Sequence, residues 1–187
     1  LVHQWTSGSS EAGSRRKLIV GTSIPPCGYR QLRIKEGNPA PFKNIVKVEG
    51  NEMENEYLRI KVSESGKIGI YDRENGIEVF TGGSTGCKAV VIDDPSDTWS
   101  HDIKSFTNEI GEFGKALIKV IETGPLRAII RAISNFGSST LTIDWILYAG
   151  SRQLEANVTL DWHEHLKMLK FSFPVDVAEP TATFEIP

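Results

Sequence analysis

Five consecutive residues combine side chains that could do chemistry. Asp161, Trp162, His163, Glu164 and His165 bring two carboxylates, two imidazoles and an indole into one short stretch. On a β-strand, alternate residues point to opposite faces, so we expect Asp161, His163 and His165 on one face and Trp162 and Glu164 on the other. Two histidines at i and i+2 can share a metal ion, with Asp161 as a third ligand. The pattern also fits hydrogen-bonded residues at a sheet edge, or residues that shape a ligand cleft.

A metal site in this stretch would need a further ligand from elsewhere in the sequence. His101 is the one other histidine that we consider plausible, and no second cluster of histidine or cysteine occurs. Cys27 and Cys87 lie far apart, outside the C-x-x-C spacing of zinc and redox motifs. A metal site in this stretch is therefore less favoured than hydrogen-bonded residues at a sheet edge, and we predict that both cysteines are buried thiols.

A second group of candidate residues lies in the acidic loop DDPSDTWSHD, residues 93–102. Trp99, His101 and Asp102 are residue types that hold a sugar, because an aromatic ring stacks on the pyranose while imidazole and carboxylate bind its hydroxyls. These three are our candidate carbohydrate-binding residues. The alternative is a polar loop anchored by one buried tryptophan.

Composition and charge argue against several classes of function. The 187 residues carry 21 Lys and Arg against 24 Asp and Glu, a formal net charge of −3, so no basic field attracts nucleic acid. No apolar run approaches the roughly 20 residues that a membrane-spanning helix needs. We expect neither nucleic acid nor a membrane as a partner. Two unpaired cysteines without a secretory signal favour the cytoplasm.

Period-two alternation and β-branched residues dominate the sequence and predict an all-β fold. No window shows the apolar stripe of a confident helix. Long strands at even spacing, separated by turn residues, predict an antiparallel β-sandwich built on large sheets. The predicted strands are residues 17–20, 28–34, 44–49, 57–63, 67–72, 88–93, 115–123, 126–135, 139–149, 152–162, 168–177 and 181–186.

A change in composition at residues 36–41, EGNPAP, predicts a linker between two domains. The residues before it are too few to close a β-domain alone and would leave strand edges unpaired. The chain opens at Leu1 inside an apolar run and stops at TFEIP, where a predicted strand is in progress. We therefore expect a piece of a longer polypeptide.

Five blocks of the sequence, in order, resemble one enzyme family. They begin RKLIVGTSIPPCGYR (16–34), MENEYLRIKVS (53–80), AVVIDDPSDTWSHDI (89–103), ETGPLRAIIRA (122–175) and ATFEIP (182–187). Together they resemble the C-terminal half of the retaining α-mannosidases of glycoside hydrolase family 38. The resemblance implies that residues 1–36 are the last strands of a small β-domain. Residues 37–187 would be the N-terminal part of a large super-sandwich resembling galactose mutarotase.

The same resemblance implies where catalysis takes place. In this family a zinc ion holds hydroxyls of the mannoside, an aspartate is the nucleophile and a second carboxylate is the general acid. These groups belong to domains upstream of Leu1, so the chain itself is expected to hold no zinc and to hydrolyse nothing, while its parent cleaves α-mannosides. Asp161, Trp162 and Glu164 would then be architectural. The expected partners are the remaining domains of the polypeptide, a mannose-containing oligosaccharide and, as a further option, another copy of the chain.

Two other functions stay open at this stage. One is a carbohydrate-binding sandwich without chemistry, which holds a glycan through Trp99, His101 and Asp102. The other is an enzyme resembling the aldose epimerases, which needs a histidine acid and a glutamate base on either side of a cleft. The histidines available for it are His101, His163 and His165, and the glutamates are Glu112 and Glu164.

Overall fold

The computed structural model describes residues 2–6, 17–35, 37–38, 45–97 and 99–185. Their regular structure is one 3₁₀ turn, Thr81–Gly83, and fourteen β-strands. The strands are β1 (Val2–Trp5), β2 (Leu18–Gly21), β3 (Lys47–Glu49), β4 (Glu52–Glu54), β5 (Leu58–Val62), β6 (Ile68–Asp72), β7 (Ile77–Glu78), β8 (Lys88–Asp93), β9 (Glu109–Glu112), β10 (Gly114–Glu122), β11 (Arg127–Phe136), β12 (Ser139–Tyr148), β13 (Leu154–Asp161) and β14 (Lys167–Ser172).

The strands of the described residues form four antiparallel sheets. Their strand orders are β1-β2, β3-β4-β5-β6-β7, β14-β8-β9 and β10-β11-β12-β13. Most neighbours in the sheets are also neighbours in sequence, which short turns between antiparallel strands allow. The described residues contain no helix with the length and hydrophobicity of a membrane span.

Strand β12 shows how the sequence pattern builds the sandwich. Leu141, Ile143, Trp145 and Leu147 alternate with half-buried residues and are themselves almost completely buried. They pack in one apolar core with residues of the five-stranded sheet and of β8, such as Ile60. Burying each such side chain stabilises the fold by about 1.5–3 kcal/mol. The predicted all-β class and antiparallel sandwich are confirmed.

The turn between β5 and β6 needs a glycine at one position. Gly66 has a φ of +80°, in the left-handed region that other residues rarely adopt. Its amide N–H donates to the carbonyl oxygen of Ser63 at 2.9 Å, and Ser63 in turn bonds Lys67 across the turn. The predicted hairpin between residues 57–63 and 67–72 is therefore confirmed.

Several strand predictions are wrong. Residues 28–34 and 181–185 contain no strand, and Tyr29 in the first segment is 89% exposed. Their alternating sequence marks two faces, but a strand forms only where a neighbouring backbone pairs with it. The predicted strand at 168–177 ends earlier, at Ser172. Residues 36 and 39–41 of the predicted linker, residue 44 of one predicted strand and residue 186 of another lie outside the described residues.

The two cysteines differ in environment. Cys87 is buried, as predicted, and burial raises the pKa of its thiol to about 11. Cys27 is exposed, so the prediction of a buried thiol there is wrong. The cause is that Cys27 lies at the tip of the Pro25–Gly28 turn, closed by the Gly28 amide donating to the Pro25 carbonyl at 3.2 Å. The chain around this turn is exposed.

One buried side chain joins the β1-β2 hairpin to the sandwich. The Gln4 carbonyl oxygen accepts the backbone N–H groups of Leu126 and Arg127 at 3.0 and 2.8 Å. Its amide nitrogen donates to the Arg127 carbonyl at 2.9 Å and to Glu122 at 2.5 Å. Gln4 thus pairs with Arg127 as a neighbouring strand would, and all hydrogen-bonding positions of its amide are filled. Gly124 leaves room for it, since a Cβ there would lie 2.2 Å from the Gln4 Cδ.

Candidate functional site

The loop that carries Trp99, His101 and Asp102 is organised by a neighbouring carboxylate. Asp97 accepts the backbone N–H groups of Trp99 at 3.0 Å and His101 at 3.2 Å. Its other carboxylate oxygen lies 2.7 Å from the His101 Nδ1. This side-chain bond, with the backbone bonds, lowers the pKa of Asp97. These bonds to one carboxylate hold the backbone at Trp99 and His101 and the His101 ring in place.

Trp99 is 79% exposed, and His101 and Asp102 are exposed as well. The alternative of a loop held by a buried tryptophan is therefore wrong. An exposed indole face is available to stack on a sugar, but the three side chains line neither of the two surface grooves of the five-stranded sheet. Their role in carbohydrate binding stays a prediction.

The stretch from Asp161 to His165 begins at the last residue of β13 and leaves the sheet. The expected alternation is present: Trp162 and Glu164 are half-buried, whereas Asp161, His163 and His165 are exposed. The ring centre of Trp162 lies 6.5 Å from that of the buried Phe113. This contact places the indole against the edge of the core.

Glu164 is bound to the turn between β11 and β12. One of its carboxylate oxygens accepts the Ser138 backbone N–H at 2.9 Å and the Ser139 hydroxyl at 3.1 Å. The Ser139 oxygen also accepts the backbone N–H of His163 at 2.8 Å. These bonds tie the segment after β13 to the preceding hairpin. Such contacts fit the architectural role that we predict for Glu164.

Of the three metal ligands that the sequence suggests in this stretch, only His163 and Asp161 are in contact. His163 Nε2 lies 2.9 Å from the Asp161 carboxylate, and both side chains are more than half exposed. Across the described parts of the chain, no group of three or more His, Cys, Asp or Glu side chains is placed to hold a metal ion. The zinc implied by the resemblance therefore has no fitting ligand set among these residues.

The side-chain contacts of the candidate histidines and glutamates contain no histidine–glutamate pair of the kind that an epimerase would need. Glu112 forms ion pairs with Lys67 at 3.2 Å and Lys88 at 3.6 Å. Glu164 bonds the two serines described above, and His101 bonds Asp97. Because the glutamates and histidines have other partners, nothing in these contacts prepares a histidine acid and a glutamate base for one substrate.

A groove of about 580 Å³ lies on the outer face of the five-stranded sheet, and the sequence reasoning missed it. We call it the outer groove. Its lining residues are Glu52, Arg59, Lys61, Ser63, Gly69, Tyr71, Glu78, Gly83, Ser84 and Thr85. The signal was present in the alternation of residues 57–63 and 67–72, which places Arg59, Lys61 and Ser63 on one face of the first segment and Gly69 and Tyr71 on one face of the second.

Two cross-strand rows form the floor of the outer groove. In the first row Glu52 pairs with Lys61, which pairs with Gly69. The Lys61 ammonium lies 2.8 Å from the Glu52 carboxylate. In the second row Arg59 pairs with Tyr71, and its guanidinium carbon lies 4.7 Å from the centre of the Tyr71 ring. The groove thus combines paired charges with one aromatic side chain.

Comparison with known proteins gives matches of two kinds, one to a family model and one to solved structures. The family model of the glycosyl hydrolases family 38 C-terminal domain matches residues 53–187. A solved structure of a protein in glycosyl hydrolase family 38 from Enterococcus faecalis aligns with a TM-score of 0.58 and 17% sequence identity. The alignment covers 74% of this chain and 20% of that chain, so this chain spans about a fifth of its length. At this identity the structural likeness supports the fold alone. No curated protein matches the sequence.

Proposed function

The chain belongs to glycosyl hydrolase family 38, whose C-terminal domain model matches residues 53–187, and from this premise we propose that it is the non-catalytic β-sandwich portion of a retaining α-mannosidase. The observation that carries the proposal is the extent of the family match. It begins inside β4 and covers β5 to β14 completely. The sandwich supports the catalytic domains and borders their cleft. The parent enzyme removes terminal mannose from α-mannosides.

The catalytic groups of the proposed enzyme belong to its other domains. Retaining glycosidases use one carboxylate as nucleophile and a second as general acid and then base. We assign both carboxylates, and the zinc that holds the mannoside hydroxyls, to the rest of the polypeptide. The partners are then those other domains and a mannose-containing oligosaccharide, and the proposed location of the enzyme is the cytoplasm.

The carboxylates with the best-defined partners in this chain support a structural role. Glu122 is buried and bonds Arg127 at 2.7 Å, and Asp144 receives two bonds from Arg131 at 2.6 and 2.8 Å. Both pairs lie within the four-stranded sheet. Glu74 is held in the same way, since Arg152 donates two bonds to its carboxylate, and these hydrogen bonds lower its pKa.

The experiment that tests the proposal measures substrate and stereochemistry with a longer polypeptide that carries this sandwich. With zinc present, we expect it to hydrolyse a chromogenic α-mannoside and to leave the matching β-mannoside and α-glucoside intact. Proton NMR of the first product should show α-mannose, because the reaction retains configuration. Preference for another glycoside would contradict the mannosidase assignment, and β-mannose as first product would contradict the retaining mechanism.

A second candidate function is a carbohydrate-binding module, favoured by the exposed indole of Trp99 beside His101 and Asp102. Titration of the chain with manno-oligosaccharides would quench or shift the fluorescence of Trp99 if this loop holds a sugar. The same titration of the Trp99→Phe variant separates this signal from those of the other tryptophans. An unchanged difference spectrum would exclude the loop as the binding site.

A further inference from the structure

The outer groove has a volume of about 580 Å³, and neither the family match nor the proposed catalytic role assigns it a function. We propose that it is a binding site for a neutral oligosaccharide. This inference rests on the proposed function for the class of ligand, since a glycan is the substrate of the proposed parent enzyme. The arguments from geometry and charge come from the groove itself.

The volume and shape of the groove suit an oligosaccharide. Binding sites for small molecules occupy about 300–1,000 Å³, and the outer groove falls inside this range at about 580 Å³. Its floor is the face of β4, β5, β6 and β7, and one wall is formed by Gly83, the last residue of the 3₁₀ turn, with Ser84 and Thr85. A trough of this kind can hold a chain of pyranose rings along the sheet.

The charges of the lining favour a neutral ligand. Two cations, Arg59 and Lys61, face two anions, Glu52 and Glu78, so the lining has no net charge. Lys61 already bonds Glu52 at 2.8 Å, and Arg59 stacks over Tyr71. Such a lining offers many hydrogen-bond donors and acceptors, which hydroxyl groups can use. It offers no unpaired charge cluster to attract a polyanion or a cation.

An open slot beside Tyr71 supplies the place for a sugar ring. Gly69 precedes Tyr71 by two residues on β6 and shares its face. A Cβ added to Gly69 would meet no atom within 4 Å, so the space above this residue is empty. One ring placed there would contact the flank of Tyr71 with its apolar C–H face while its hydroxyls reach Lys61 and Glu52.

The empty slot allows a test that leaves every charged side chain in place. Gly69→Val fills the slot, and because Gly69 has no positive φ and no close neighbour, valine fits the strand there. Gly114→Val is the matched control, since Gly114 also has open space and an ordinary backbone but lies on β10 in another sheet. Thermal denaturation should show that both variants fold.

The measurement is a titration of the chain and its two variants with mannotriose and with cellotriose, followed by amide NMR shifts. We expect the amides of residues 59–71 to shift with at least one of these neutral sugars. We expect Gly69→Val to weaken binding by about tenfold or more, because the slot is blocked, and Gly114→Val to leave the affinity unchanged. A sulfated trisaccharide should bind more weakly than the neutral one.

Three results would overturn the assignment: no binding of either neutral sugar, equal binding by Gly69→Val, or stronger binding of the sulfated sugar. The proposed catalytic function is tested by a separate experiment. It is judged by hydrolysis of a small chromogenic α-mannoside by the longer enzyme, and Gly69→Val in that enzyme should leave this turnover unchanged. Loss of sugar binding with normal turnover would therefore support the groove without touching the mannosidase proposal.

Discussion

At the scale of single residues, side chains with chemical potential serve mainly to fasten the backbone. Glu164 holds the turn before β12, Gln4 pairs with Arg127, and Asp97 orders its own loop. The reason is physical: a carboxylate or amide that accepts backbone N–H groups satisfies donors that would otherwise be left without partners. Residue type alone therefore suggests a chemical role at positions where the side chain in fact stabilises the backbone.

Replacing Glu164 by alanine should destabilise the chain. The exposed Ser138 N–H can bond water instead, but the hydroxyl of the buried Ser139 loses its acceptor, which costs about 1–3 kcal/mol. Urea denaturation measures the change in the free energy of unfolding. His165→Ala is the control, since His165 is exposed, and it should change that free energy by less than about 0.5 kcal/mol. Equal losses for both variants would contradict the architectural role of Glu164.

The two cysteines should react at very different rates with a thiol reagent. Cys27 is exposed, whereas Cys87 is buried with its pKa raised to about 11, so little thiolate exists at Cys87 near neutral pH. We expect one thiol to be labelled by iodoacetamide in the native chain and the second only after unfolding. The Cys27→Ser variant should show no native labelling. Rapid labelling of that variant would mean that Cys87 is accessible. Raising the pH toward 11 increases the thiolate fraction of Cys87, but burial still limits access.

At the scale of elements, the sequence predicts a strand correctly where the apolar pattern is strong. The prediction is wrong where the strand depends on hydrogen bonding to a neighbouring strand. β8 occupies the predicted residues 88–93, where a short continuous apolar run marks a strand buried on both faces. β12 ends one residue before its predicted end, and its long apolar alternation marks a strand with one face toward the core. β9 was missed, since Glu109 and Glu112 give it a polar sequence; it forms by pairing with β8. The segment 28–34 has the alternation without the partner.

The same distinction explains what could be predicted of the sites. Local strand geometry predicts that Trp162 and Glu164 point to the face opposite Asp161 and His163. In the structure the first two are half-buried and the other two are exposed. The outer groove depends on the register that places Lys61 beside both Glu52 and Gly69. Register is a long-range property that alternation within one strand does not contain.

Removing the Gln4 amide should loosen the hairpin β1-β2 from the sandwich. In Gln4→Ala the N–H groups of Leu126 and Arg127 lose their acceptor, and the buried Glu122 loses a donor. Hydrogen exchange of these two amides should accelerate by tenfold or more, since each lost buried bond costs about 1–3 kcal/mol and 1.4 kcal/mol is a factor of ten.

Two further variants define this contact. Gly124→Ala should act from the opposite side, because its Cβ would overlap the Gln4 side chain. His3→Ala, next to Gln4 on the same strand, should leave the exchange of both amides unchanged. Unchanged exchange in Gln4→Ala would mean that other contacts hold the hairpin in place.

At the scale of the whole molecule, the four-stranded sheet is not covered evenly. Val158 and Leu160 on β13 share the face of the core residues Ile143 and Leu141, yet they are 43% and 39% exposed. On the same face, the buried indole N–H of Trp145 has no hydrogen-bond partner within the described residues. If the chain is part of the proposed enzyme, we expect another part of the polypeptide to cover Val158 and Leu160.

Leu160 tests this covering directly. In this chain alone Leu160→Ala should lower the free energy of unfolding by less than about 1.5 kcal/mol, since much of the side chain is already exposed. In the longer enzyme the same substitution should cost about 2–5 kcal/mol, the range for a buried leucine. Denaturant unfolding of both polypeptides gives the two values. The same small cost in both would show that nothing covers this face.

The most direct test of the central claim is the rate at which three polypeptides hydrolyse a chromogenic α-mannoside with zinc present. They are the longer enzyme, the same enzyme without residues 53–187, and this chain alone. If the chain is a non-catalytic scaffold of an α-mannosidase, the complete enzyme turns the substrate over, the shortened enzyme loses most of that rate, and this chain shows none. Turnover by this chain alone, or full activity without residues 53–187, would contradict the claim.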